Sequence, residues 1–252
     1  MNIRNMAITG FGLLDITGYH SLSGSFQWDS DQRGPVDVKR SQVLSKMYPG
    51  FGKLNLPDRL AFAAAALALP AQVDGLSTGI TIGAPYGSLS TDLAYMDSVR
   101  GGTPGPALFS ATLPSSLVTD IAIYFGIKGP DRVFTGVGTP ALYALESAGM
   151  MISCGKCDSA LVVGVWETDD VTQSSAAALF IGDIQRYPSA VLLHLDDTDD
   201  TMMEMVQFKE EKEIFTMIGK SVLNRNSCRI RGLESGWNGH ISLTEGIEQE
   251  NG

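Results

Sequence analysis

Apolar positions along the chain follow two rhythms. Short runs of strand length occur at MAITGFGLL (residues 6–14), TGITIGA (78–84), DRVFT (131–135), CDSALVVGVWE (157–167), SSAAALFIGD (174–183) and SAVLLHLDD (189–197). Between them lie runs with helical spacing. LPDRLAFAAAALAL (56–69) is apolar nearly all round, which predicts a helix sandwiched between layers. LPSSLVTDIAIYFGIKGP (113–130) places Leu117, Ile121 and Tyr124/Phe125 on one face and stops at Gly126. PALYALESAGMMIS (140–153) carries Leu142, Leu145, Gly149 and Ile152 on one face, with a second stripe of small residues at Ala141, Ala144 and Ala148. Thr139 is expected to cap this helix and Pro140 to open it. A smaller helix is expected in STDLAYMDSVRGG (90–102), with a Ser/Thr cap and a Gly stop.

Other stretches read as connections. Gly10 and Gly12 are expected to end the first strand, and residues up to about Gly52 to form a long, loosely structured excursion. GTPGPALFSAT (102–112) reads as a loop. Beyond an acidic break near residue 200, one strand and one amphipathic helix are expected. From Asn226 onward the Gly, Ser and Asn content argues for little order. Strands alternating with helices predict an α/β layered fold with a mainly parallel sheet covered by helices. Residues 1–197 form its main unit, and 198–252 a partly ordered extension.

Composition narrows the function. The 252 residues carry a net charge of −10, which argues against nucleic acid, whose phosphates need Lys and Arg. It also argues against docking a strongly acidic partner over most of the surface. The chain has no apolar run of membrane-spanning length and no leader-like N-terminus, so a cytoplasmic protein is expected, with no membrane partner. Lys39, Arg40 and Lys46 form a local basic patch, read as a solvated loop. Cys154, Cys157 and Cys228 are reduced thiols on this reading. The Cys154–Cys157 spacing has no second pair or His cluster to make a metal site, and Gly155 fits a helix C-cap. No metal and no cofactor is expected.

The turn TGVGTP (135–140) is the most informative stretch. A strand passes through small residues into a helix, the usual mount of a nucleophile, yet Gly136, Val137 and Gly138 supply none. The order of MAITGFGLL, DRLAFAAAALAL, TGITIGAPYGSLSTDLAYM, LPSSLVTDIAIYFGIKGP and GVGTPALYALESAGMMISCGKCDSALVVGVWE resembles the N-terminal half of β-ketoacyl synthases, of the thiolase-like fold. It covers roughly residues 6–197. The resemblance implies a Cys nucleophile at Gly138, or at Val137 or Thr139 if the register slips by one, and none of these is a thiol. It also implies two His and a Lys from a second half that this chain does not complete; His20, His194 and His240 are its only histidines.

The resemblance therefore implies a chain-length factor of half length, inactive alone, within an acyltransferase-class complex for polyketide, aryl-polyene or fatty-acid-like synthesis. Its partner would be a full-length β-ketoacyl synthase, with acyl carrier protein engaged only indirectly. The strand holding Arg132 and Phe134 would pair with that partner. Leu108, Phe109, Thr112 and Phe134 would reach its acyl tunnel, with Phe109 as the gate or, alternatively, as a plug of its own core. The rival reading is an acyl-transferring enzyme that uses a non-Cys nucleophile such as Thr139 or Ser147, or one completed by a second chain. Ser147 lies two turns into its helix, where a hydroxyl is expected to bond back to the backbone.

Overall fold

The computed structural model describes residues 3–187, 191–196, 206–208, 210–224, 228–233 and 240–244. The elements run β1 (Ile3–Asp15), β2 (Gly18–Ser21), β3 (Gly24–Phe26), α1 (Arg40–Val43), α2 (Leu56–Ala68), β4 (Thr78–Ala84) and α3 (Leu89–Arg100). There follow α4 (Pro106–Ser110), α5 (Ser116–Phe125), β5 (Asp131–Thr135), α6 (Pro140–Ser153), β6 (Ser159–Trp166), β7 (Ser175–Asp183) and β8 (Val191–Asp196). The chain continues through β9 (Val206–Phe208), α7 (Glu211–Asn224), β10 (Cys228–Leu233) and β11 (His240–Thr244).

The α/β layered expectation holds. One sheet runs in the order β5-β4-β6-β7-β1-β8-β11-β10-β9, with the β2–β3 hairpin attached to β1. The core strands β5, β4 and β6 are parallel, and β9 pairs parallel with β10. From β6 across to β10 the pairs are antiparallel, so the whole sheet is mixed. Every residue of β4 and β6 is buried, as strands covered on both faces must be. Helices α6 and α7 cover one face with Leu142, Leu145, Ile214, Phe215 and Ile218. Helices α2 and α5 cover the other with Leu60, Phe62, Leu117 and Ile121.

Gly10 and Gly12 do not end β1; the strand runs through both. A Cβ at Gly10 would lie 1.8 Å from the Ala68 carbonyl oxygen, and one at Gly12 would lie 2.4 Å from that of Ala64. The two glycines thus let the Ala-rich face of α2 settle onto the strand. A register shift between Ile8 and Gly10 restores the parity, so Met6, Ile8, Phe11 and Leu13 all face the α6/α7 layer.

The expected loose excursion is instead packed. The Trp28 indole donates to the Asp15 carbonyl at 2.8 Å, Arg59 donates to the Val36 carbonyl at 2.9 Å, and Tyr48 stacks on Phe62 at 5.2 Å. The expected loop at 102–112 contains α4, opened by Pro106. The stretch from Asn226 onward contains β10 and β11, and β11 pairs with β8 through Ile241 and Leu243. The acidic break itself, residues 197–205, lies outside the described residues.

Candidate functional site

Two glycines bring α6 down onto the parallel strands. A Cβ at Gly83 of β4 would lie 2.2 Å from Ala141 N, and one at Gly164 of β6 would lie 3.1 Å from the Ala141 Cβ. The helix therefore starts directly over the C-terminal ends of β4 and β6. The turn leading into it has Gly136 at φ +113° and Gly138 at φ +116°, a region L side chains rarely adopt. An added Cβ at either glycine would meet nothing within 4 Å, and Val137 between them is fully exposed. The Gly136 amide is tied to the Pro85 carbonyl at 3.1 Å. The elbow is thus intact and open at its tip, and it carries no nucleophile. Thr139 is buried in the N-cap position, but its side chain makes no capping bond.

The strand feeding this turn is an edge. Among the described residues β5 pairs only with β4, leaving its other side free, and it is only partly buried. Arg132 donates to the Ser147 hydroxyl at 3.1 Å, pinning β5 to α6. That contact replaces the expected backbone bond of Ser147. Phe134 is half-buried against the α6-side core.

Leu108 is half-buried on α4, and the Thr112 hydroxyl donates to the Phe109 carbonyl at 2.7 Å. Phe109 is 53% exposed, so it does not plug the core of this chain; its ring leans on Tyr95 of α3 at 5.4 Å. The end of β5 and the connection between α4 and α5 come together around Gly87, whose added Cβ would lie 3.7 Å from Thr135 and 3.9 Å from Pro114.

An apolar surface that the sequence reading did not single out adjoins these residues. On α3, Leu89, Leu93, Met96 and Val99 are all exposed, and Tyr86 and Leu113 extend the apolar surface toward the elbow. The spacing i, i+4, i+7, i+10 was the available signal, since it marks one face of a helix.

Two buried carboxylates were also missed. Glu167 at the end of β6 accepts from the Ser90 amide at 3.2 Å, in the first turn of α3. Glu211 of α7 accepts from the Leu142 amide at 2.6 Å and from the Trp166 indole at 3.3 Å. Burial pushes its pKa up to about 7 against the pull of these donors.

The remaining candidates lie apart from the elbow. Lys39 pairs with Asp29 and Asp31, so the basic patch is partly neutralised from within. Cys157 is buried with its thiol pushed up to about 11 by desolvation, and Gly155 ends α6 at φ +65°. His20 sits on β2, His194 on β8 and His240 on β11. In sheet order β8 is four strands from β4, which at the usual spacing is roughly 19 Å. Among the described residues, no helix is long and apolar enough to cross a membrane.

The model of the β-ketoacyl synthase N-terminal domain matches residues 60–179. No curated protein matches in sequence. Among solved structures, the ishigamide ketosynthase/chain length factor superposes with a TM-score of 0.69 at 12% identity, over 97% of this chain and 100% of that one. A chain of the ketosynthase ApeO in complex with its chain length factor ApeC, from Xenorhabdus doucetiae, gives 0.63 at 12% identity, over 96% and 100%. A β-ketoacyl synthase from Burkholderia phymatum STM815 gives 0.57 at 14% identity, over 76% and 63%. The chain is thus similar to the β-ketoacyl synthase N-terminal domain over residues 60–179, and its described residues share the fold of these ketosynthase structures.

Proposed function

We propose that this chain is a chain-length factor: a subunit, inactive alone, that pairs with a full-length β-ketoacyl synthase and shapes its acyl tunnel. The observation that carries this reading is the elbow, which keeps its strand, glycine turn and helix while offering no thiol at Val137, Gly138 or Thr139. Two further features support it. The free edge of β5 can extend a partner's sheet by main-chain hydrogen bonds. The exposed apolar face of α3, with Phe109 and Leu113 beside it, gives such a contact a hydrophobic centre. Two structures sharing this fold over their full matched chains are described as containing a ketosynthase and a chain length factor.

On this reading Leu108, Phe109, Thr112 and Phe134 reach toward the partner's tunnel, with Phe109 as the gate, while the strand that carries Arg132 and Phe134 pairs with the partner. The net charge of −10 leaves acyl-carrier docking to the partner. The test is native mass spectrometry of the affinity-purified protein from its own cells. A stoichiometric ketosynthase with its Cys intact is the expected companion. A lone monomer or a self-dimer would overturn the reading.

A further inference from the structure

The N-terminus of α6 is closed by a group from the far end of the chain. Pro140 has no N–H, and the Tyr143 amide makes the first helical bond, to the Thr139 carbonyl at 3.1 Å. That leaves the amides of Ala141 and Leu142 without helical partners. Glu211 reaches them: its Oε1 accepts from Leu142 at 2.6 Å, and the Ala141 amide adds to the pull that lowers its pKa. Its Oε2 accepts from the Trp166 indole at 3.3 Å, and Phe215, one turn further along α7, meets the Trp166 ring edge-on at 5.5 Å. The whole residue is 5% exposed. Helix α7 is seated deeply enough to deliver it, since Gly219 lies so close to the Phe11 ring that a Cβ there would come within 1.9 Å.

A helix N-terminus carries partial positive charge and free donors, which lower a thiol's pKa or steady negative charge on an oxygen. In this chain those donors are already taken by an acid of the same molecule.

We propose that Glu211 is a built-in plug, carried by α7 to the N-terminus of α6, that occupies the helix amides beneath the open tip of the elbow and so denies them to any acyl or anionic group. The meaning of the elbow rests on the ketosynthase-like reading above; the contact does not. A carboxylate in this place and a nucleophilic thiol beside it would each disfavour the other's charge, so the plug and the missing Cys belong together.

The test needs no partner chain, so it stands or falls separately from complex formation. Thr139→Cys puts a reporter thiol at the N-cap, where φ is −126° and no strain arises. Because residue 139 is buried, its titration is followed without a reagent, by the ultraviolet absorbance of the thiolate across pH against the unaltered protein, alone and combined with Glu211→Gln. Removing the charge from residue 211 should lower the thiol pKa by about one unit, raising the thiolate fraction at pH 7 roughly tenfold. Equal titration in the two proteins would overturn the plug. Should the double variant not fold, amide exchange in the unaltered protein decides. The Ala141 and Leu142 amides should exchange as slowly as those of α7. Exchange as fast as that of Val137 and Gly138 in the open turn would refute the proposal.

Discussion

Glu211 should make stability fall as pH rises, the reverse of a salt-bridged carboxylate. Burial lifts its pKa from 4.5 to about 7. Below pH 4.5 the group is neutral in both the folded and unfolded chain and costs nothing. Between 4.5 and 7 the unfolded chain gives up its proton while the folded chain keeps it, so each rise in pH favours unfolding. Above 7 the loss is complete. A displacement from 4.5 to about 7, at 1.36 kcal/mol per pH unit, is about 3 kcal/mol. Asp58 shifts the same way, to about 6, through its own burial, so the unaltered protein alone would not isolate Glu211. Asp37, held near 2 by Arg33, acts only below this window. Urea denaturation from pH 5 to 8 should therefore be run on the wild type and Glu211→Gln together. Gln loses the pH term and also turns a donor toward Trp166, so the variant is offset by a constant. What matters is the slope: the stability difference should move by up to about 3 kcal/mol in favour of the variant between pH 5 and 8. Parallel curves would refute the assignment.

Phe109→Ala should lengthen or broaden the products of the paired enzyme with the complex intact. Because the ring is half exposed and leans only on Tyr95 among described aromatics, the chain itself should lose about 1 kcal/mol or less. Unchanged products from an intact complex would remove it from the gate. Gly138→Cys should show no condensing turnover when purified alone, since β8 and β11, which carry His194 and His240, lie several strands from the elbow; measurable turnover would refute this account. Gly219→Ala should unseat α7 at a cost of about 1–3 kcal/mol, because the added methyl runs into the buried Phe11 ring. Thermal melts check it, and an unchanged midpoint would mean that the ring can move aside.

The layers were legible because they depend on local pattern. The all-round apolar run at 56–69 became the buried α2, and the β-branched runs became β4 and β6. The turn at 135–140 was legible for the same reason: Gly136 and Gly138 do take positive φ. Where local reading failed, contacts distant in sequence decided the outcome. Gly10 and Gly12 look like strand breakers until α2 is laid across them. Residues 28–54 look loose because their anchors, Asp15, Arg59 and Phe62, are borrowed from other elements.

The helix caps show the same division more sharply. Asn55 caps α2 in the ordinary way, accepting from the Asp58 amide at 2.9 Å, and a sequence window can find it. Ser88 and Thr139 occupy the corresponding positions of α3 and α6 but make no capping bond. Their helices are capped instead by Glu167 and Glu211, acids that arrive 77 and 69 residues after the amides they bind. Both helices follow parallel strands, and both start where the sheet ends, in a place later elements must roof over. An acid brought by such an element can satisfy the amides and fix that element at once. A local Ser or Thr could do only the first. The C-terminal stretch carrying α7, whose composition says so little, therefore completes the elbow that the earlier residues build.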